Sequence, residues 1–412
     1  MLFGKDDSVL DTLFLNENNQ FHKCFSDYQE GMYVMKYENF IKYIYFENND
    51  SIYLNANAQD FHNLTSFHGR GNEKNNFLFE LFAITFENNN SYQDIFQENY
   101  NNFMKSVDSV KLEKEKLYQK RKGEISWNNE FDQYAKALID YVYFTRLEAY
   151  SFIRKRYKHL ENDPLPKNYF DFRKKVNFNE EKFSNYLPFT HYLTMLMTSI
   201  SYEKNVTEPL EKGLLRLQIV DSMIDNQKVK ERILSDLAFM YMLEDQNVER
   251  NNEFMKHYLS IAKDQLKIDE IENLNKCIAS FENHEKLKDF EFRSVEGKSF
   301  YLLPTIQKPT LIFFWSSYML GHLNTSTERI KELKKRHLNL DVVAINVDND
   351  PNVLQKYKGI FQKDFRYIQA KHFNELKKDW VILKLNRAIY IDKDGTVKKG
   401  FVNMQKETIQ LD

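Results

Sequence analysis

Cysteine is almost missing from this 412-residue chain, which carries only Cys24 and Cys277. The two lie far apart in segments of different character. A disulfide-stapled scaffold is therefore excluded, and both read as small buried hydrophobes, with a single bridge between them as the alternative. No segment has the ~18 consecutive apolar residues of a membrane-spanning helix. No secretory leader is expected in the sequence as given, since Met1 is followed by Leu2-Phe3-Gly4-Lys5 with neither a basic stretch nor an apolar run. As written, the chain is expected to be cytoplasmic or to lack its natural start. Charge of one sign is not in excess: 58 Lys and Arg face 60 Asp and Glu, a net charge of −2. That balance gives no long-range attraction to nucleic acid or anionic lipid. The basic runs Lys120-Arg121-Lys122 and Arg154-Lys155-Arg156 lie in helical segments and are expected to be solvated faces. No fixed repeat period is found, so a regular solenoid is not supported.

What is present is a globular composition, 42% hydrophobic and 29% charged, with length for two or three domains. The predicted class is multidomain α+β. Residues 1–73 read as a small antiparallel β domain, 74–286 as a helical region and 287–412 as an α/β domain. In the first, Val9 to Leu15 is rich in strand formers, Asn18-Asn19 supplies a turn, and Gln20 to Phe25 pairs back as a hairpin. Met32 to Tyr37, Phe40 to Phe46 and Ser51 to Leu54 continue the strands, with breaks at Glu38-Asn39 and at 47–50. His68-Gly69-Arg70-Gly71-Asn72 closes the domain. No Lys-Ser/Thr follows it, so a plain turn is favoured over a phosphate loop. In the second region Phe131, Ala135, Leu138 and Val142 mark one buried helical face, with Ser126 as the expected N-cap. Asp163-Pro164-Leu165-Pro166 breaks the helices, which resume near 189–201, 207–224, 228–243, 251–263 and 268–282. Its many Tyr and Phe read as packing between helices.

From about 287 the pattern changes again. Phe290 to Phe292 and Ser299 to Leu302 read as a hairpin around Glu296-Gly297. Pro309 to Trp315 is a nearly unbroken apolar run, as in a strand buried on both faces. A helix from about 323 to 337 and a second apolar strand from Leu340 to Val347 complete a right-handed βαβ unit. A short helix near 351–358, a strand near 365–369, a helix near 371–380 and a hairpin around Lys393-Asp394-Gly395 follow.

This layout resembles a TlpA-like, redoxin-type thioredoxin domain. The decisive stretch is Phe313-Phe314-Trp315-Ser316-Ser317-Tyr318-Met319-Leu320-Gly321-His322. In that family a Phe-Trp-Ala-Ser/Thr-Trp segment ends the buried strand and a Cys-x-x-Cys opens the next helix. Met319 falls on the first Cys position and His322 on the second. A helix N-terminus stabilises the attacking thiolate, and the second thiol resolves the mixed disulfide. A thioether cannot ionise and an imidazole cannot resolve, so the redox chemistry is expected to be lost. Asn386 stands where the family keeps a cis-Pro. A cis bond before Asn would cost ~2.5–4 kcal/mol, so a trans, differently shaped loop is expected. The order of a β domain with the 68–78 segment, a helical insert and a TlpA-like domain resembles cell-envelope proteins of Bacteroidetes type. That resemblance implies a periplasmic or envelope location and a further strand before Leu2, with Met1 an internal or engineered start.

The candidate site is the former redox loop: Trp315, Ser317, Tyr318, Met319, His322, Asn386 and Arg387. No catalytic residue, metal ligand or cofactor is assigned. His322 would need a partner nucleophile or acid to catalyse, and no Asp or Glu is local in sequence; a metal would need more ligands than it has. Asp348-Asn349-Asp350 lacks the glycine and distal glutamate of a calcium loop and reads as a helix-capping turn. Asp392 to Gly395 reads as a hairpin turn, and Arg387 as an exposed structural side chain, with contact to a partner carboxylate as its functional alternative. The leading reading is a redox-inactive binding or scaffold protein holding a peptide or protein in the cleft. The alternatives are a disulfide oxidoreductase by fold alone, or a non-redox enzyme reusing the cleft around His322.

Overall fold

The computed structural model describes the chain except residues 1, 6–7, 14–15, 19, 25–28, 38–39, 57–64, 88–93, 161–162, 245–246, 283–284, 383–384, 405–408, 410 and 412. The chain is a multidomain α+β protein. It forms two compact units, Met1–Thr207 with Leu215–Asp236, and Glu208–Leu214 with Leu237–Asp412.

The first unit opens with antiparallel sheet. Strands β1 (Leu2–Lys5), β2 (Ser8–Thr12), β3 (Gly31–Tyr37) and β4 (Phe40–Phe46) lie in the order β2-β1-β3-β4. β5 (Ser51–Ala56) and β6 (Thr65–Arg70) form a separate hairpin. β2 pairs with β1, Leu2 opposite Thr12. The Asn16 amide donates to the Gln20 carbonyl at 2.7 Å and its side chain accepts the amides of Asn18 and Gln20, at 3.0 and 2.9 Å, so the chain does turn back here. Gln20 to Cys24 returns without forming a strand, although Lys23 pairs with Asp11 of β2, which corrects the expected hairpin; Phe25 lies outside the described residues. The turn expected at Glu38-Asn39 lies outside the described residues.

The Gly-Arg-Gly segment is spent on geometry, as expected of a turn. Gly69 and Gly71 have φ of +89° and +90°, and a Cβ on Gly69 would stand 2.2 Å from the Ser51 carbonyl oxygen. Just beyond, α1 (Asn72–Glu87) is tied to both sheets by adjacent amides. Asn75 accepts the Tyr45 amide at 2.7 Å and donates to the Tyr45 carbonyl at 2.9 Å. Asn76 does the same to Phe67 at 2.9 and 2.8 Å.

The helices α2 (Tyr100–Glu124), α3 (Asn129–Ile153) and α4 (Leu187–Glu203) pack through aromatic rings, as expected. Phe103 stacks on Tyr150 with centroids 3.8 Å apart. The N-cap of α3 is Asn128, whose side chain accepts the Phe131 amide at 2.8 Å, and not Ser126. In the second basic run Lys155 is exposed as expected, but Arg154 is not part of a solvated face. Arg154 is buried and donates to the Leu160 carbonyl at 3.1 Å and to Asp163 at 3.2 Å. In the other run, Lys122 pairs with Asp132 at 2.8 Å and Arg121 with Glu80. Helices α5 (Pro209–Met223) and α6 (Gln227–Glu244) contribute residues to both units.

The second unit adds α7 (Val248–Ile261) and α8 (Gln265–Glu282) to a seven-stranded mixed sheet. Its strands are β7 (Glu291–Ser294), β8 (Ser299–Tyr301), β9 (Thr310–Trp315), β10 (Asp341–Asn346), β11 (Arg366–Ala370), β12 (Arg387–Ile391) and β13 (Val397–Asn403), in the order β13-β12-β9-β10-β11-β7-β8. β9, β10 and β11 are parallel, with α9 (Leu320–Arg336) crossing between the first two. The β7–β8 and β12–β13 pairs are antiparallel hairpins. This is the thioredoxin-like α/β layout expected of the C-terminal region. α10 (Val353–Tyr357) and α11 (Phe373–Asp379) complete it.

Side chains alternate across the sheet and build two cores. Ile312, Phe314, Ile345 and Ile389 face Trp380 and Phe281 on one side. Leu311, Phe313 and Trp315 face Leu323, Ile330 and Leu333 of α9 on the other. α8 lies against β13 at Gly400, where a Cβ would stand 2.5 Å from the Cβ of Phe281.

Candidate functional site

β9 is buried along its whole length, and the chain leaves the sheet at Ser316. A single 3₁₀ turn, Ser317–Met319, leads into α9. Ser316 shapes that turn in extended conformation: its hydroxyl accepts the Tyr318 amide at 3.2 Å, and its carbonyl accepts the Met319 amide at 3.0 Å.

The neighbouring strand holds the loop in place. Ser316 Oγ donates to Asp348 Oδ1 at 2.5 Å, and the Ser317 amide donates to Asp348 Oδ2 at 2.7 Å. Asn346 donates to the same carboxylate oxygen at 3.1 Å and accepts the Asp348 amide at 3.0 Å. Gln369, one strand further, donates to the carbonyls of Asp348 and Asp350 at 2.9 and 2.7 Å. Asp350 accepts the Asn352 amide at 2.9 Å in a turn ahead of α10, whose N-cap Asn352 makes no side-chain capping bond, so the expected helix cap is not formed, and Asp348 is turned to the loop instead. Register explains the difference. Asn346 is opposite Trp315 in the parallel pair, so residue 348 arrives beside residue 317.

Of the expected site residues, Tyr318 and Met319 are exposed, at 54% and 52%. His322 is half-buried in the first turn of α9. Its Nε2 lies 3.4 Å from Ser326 Oγ, and its Nδ1 has no partner. Burial, and then the Arg329 charge, hold its pKa below the ordinary 6.5. The imidazole is therefore neutral near pH 7. Ser326 is itself buried, at 1% exposure, so this pair offers no reachable nucleophile.

Trp315 does not line a surface. Its ring is fully buried, edge-on to Tyr357, Phe361 and Tyr367 at centroid distances of 6.4, 5.7 and 6.2 Å. An odd position on β9 points into the core beneath α9, which is why the strand buries this ring.

Asn386 and Arg387 also behave differently from each other. No cis peptide bond occurs among the described residues, and the Asn386 carbonyl accepts the Met404 amide at 2.7 Å. Arg387 was expected at the surface but is buried. It donates to the Gly400 carbonyl at 2.7 Å and to the carbonyls of Trp380 and Val381. Its guanidinium lies 4.0 Å from the Phe401 centroid and 5.0 Å from that of Phe281. Burial pulls its pKa down to about 9. The side chain is thus committed inward and cannot meet a partner carboxylate.

Both cysteines are free. Cys24 is exposed, against expectation, and belongs to the first unit. Cys277, on α8, packs against the Phe281 and Trp380 side of the sheet, the face opposite Trp315 and α9. Burial, reinforced by Asp379 and opposed by Lys288, pushes its thiol pKa up. Among the described residues no three His, Cys, Asp or Glu side chains gather as a metal site, and no helix is long and apolar enough to cross a membrane.

No protein-family model matches the chain, and no curated protein sequence matches it. Solved structures do. A thioredoxin-like protein from Bacteroides caccae is 16% identical, covering 63% of this chain and 90% of its own, with a TM-score of 0.37. The thioredoxin domain of a thiol-disulfide oxidoreductase from Bacteroides vulgatus is 12% identical, covering 28% of this chain and 84% of its own, with a TM-score of 0.25. An exposed lipoprotein thioredoxin from Streptococcus pneumoniae is 22% identical, covering 27% of this chain and 87% of its own, with a TM-score of 0.23.

Proposed function

We propose that this chain is a redox-inactive binding or scaffold protein of the cell envelope, whose thioredoxin-like unit docks a peptide or protein at the former redox loop. One observation carries the reading: the two positions that should hold the thiols are Met319 and His322, and Cys277 packs on the other face of the sheet. Without a thiolate no mixed disulfide forms. The docking patch is Tyr318 and Met319 with the half-buried edge of His322, just past the strand end where Trp315 is buried. An exposed Tyr beside an exposed Met offers apolar area with one polar handle, which suits protein recognition. The envelope location rests on the resemblance of sequence layout.

The reading of His322 as the base of a non-redox enzyme has less support. Its hydrogen-bond partner is a buried serine, and no carboxylate among the described residues orients it. The test is insulin reduction by the full chain in the presence of dithiothreitol. No turnover above the uncatalysed rate is expected. A Met319→Cys/His322→Cys variant serves as the positive control. Turnover by the unmodified chain overturns the reading, and its loss when Cys24 and Cys277 are both replaced by Ala would assign it to those thiols.

A further inference from the structure

We propose that Met319 is a site of selective methionine oxidation, so that the position which has lost its thiol still carries a sulfur that oxidants reach. Three observations support this. Met319 is the exposed methionine among the described residues, at 52%, while the others are buried or half-buried, Met242 and Met404 at 0% and 1%. It occupies the N-cap position of the 17-residue helix α9, yet its side chain makes no capping hydrogen bond. Its neighbour Tyr318 is exposed as well, so the sulfur sits on an open shoulder and not in a crevice.

The chemistry needs a two-electron oxidant, here hydrogen peroxide. A lone pair of the thioether sulfur attacks one peroxide oxygen. The S–O bond forms as the O–O bond breaks, the departing hydroxide takes the proton from the transferred oxygen, and the products are the sulfoxide and water. Sulfur is oxidised by two electrons and peroxide is reduced. A flexible apolar side chain becomes a polar one. The new S=O dipole, negative at oxygen, stands where the helix presents its amide N–H groups and positive end, which favours it there. The exposed patch changes from apolar to polar. A consequence for docking, with oxidation weakening an apolar partner's hold, rests on the function proposed above; the oxidation itself does not.

The experiment treats the full chain with dilute hydrogen peroxide and follows the 16 Da mass gain of each methionine-containing peptide over time. Sulfoxide at residue 319 is expected to form on the order of tenfold faster than at the half-buried Met104, Met195, Met223 and Met240, because exposure governs the rate. In urea the rates should converge. Equal rates in the folded protein, or a rate advantage at 319 that persists in urea, overturn the proposal. With Cys24 and Cys277 both replaced by Ala, so that no thiol consumes peroxide, Met319→Leu should lose the fast phase of methionine oxidation, and retention of that phase also overturns it. The readout is a covalent mass change, so failure of the docking reading would leave it standing, and its failure would leave docking untouched.

Discussion

Ser316 and Asp348, separated by 32 positions in sequence, are joined by a hydrogen bond of 2.5 Å from hydroxyl to carboxylate. The bond crosses from the end of β9 to the end of β10. It fixes the loop that carries Met319 into α9. Asp348 also receives the Ser317 amide and the Asn346 side chain, so one carboxylate organises three donors.

Replacing Asp348 should therefore loosen the loop out of proportion to its size. Hydrogen bonds to a charged acceptor contribute about 1.5–3 kcal/mol each, and their loss is softened where water can enter. Asp348→Ala is expected to cost about 2–4 kcal/mol, and Ser316→Ala about half of that. Chemical denaturation measures both. The Ser317 amide should exchange with deuterium faster in Asp348→Ala. Unchanged exchange there would show that the loop holds its shape without the carboxylate.

His322 gives a pH-dependent prediction. Burial and Arg329 lower its folded pKa below the ordinary 6.5. The unfolded chain then binds the proton more readily, and stability rises with pH across that window. On acidification it is lost progressively from about pH 6.5 down to the folded pKa. Removing the nearby charge in Arg329→Gln should raise the folded pKa part of the way back, with burial, the larger cause, remaining. An NMR titration of the imidazole reads the shift. A His322 that titrates at 6.5 or above in the parent chain contradicts the assignment.

The C-terminal elements were legible in the sequence because two signals agree there. The apolar run Pro309 to Trp315 and the Asp394-Gly395 turn fix a buried strand and a hairpin, and the βαβ order follows from them. Exposure of Tyr318 and Met319 also agrees with their expected place at the loop. Three features were not legible, each for a physical reason. Asp348 looks like a capping residue in isolation, and only the parallel register of β10 on β9 brings it to Ser316. Given that register, its offset of two residues beyond Asn346 would have been the signal. Arg387 carries a charge, and charge normally reads as exposure; three carbonyls and two aromatic rings reverse this. Strand 2 takes β1 as its partner while Gln20 to Cys24 turns back without forming a strand, a choice of neighbour that strand propensity does not capture.

Arg387 supplies the last prediction, in which two large effects oppose each other. Its buried charge has no carboxylate partner among the described residues, and desolvation alone costs several kcal/mol. Against that, the guanidinium satisfies the carbonyls of Trp380, Val381 and Gly400 and lies against Phe401 and Phe281. Val381 sits at a φ of +50°, a costly conformation for a β-branched residue, so the end of α11 needs that anchor. In Arg387→Met the shape and apolar packing are kept but the three carbonyls lose their donor. The variant is expected to lose about 2–4 kcal/mol in urea unfolding, because orphaned buried carbonyls cost about 1–3 kcal/mol each while only part of the charge penalty is recovered. Arg387→Lys should fare no better, since one ammonium nitrogen cannot stand in for both the Nε that reaches Gly400 and the Nη1 that reaches Trp380 and Val381. A Met variant as stable as the parent would mean that the desolvation penalty outweighs the carbonyl bonds, and that Arg387 is kept for something other than stability.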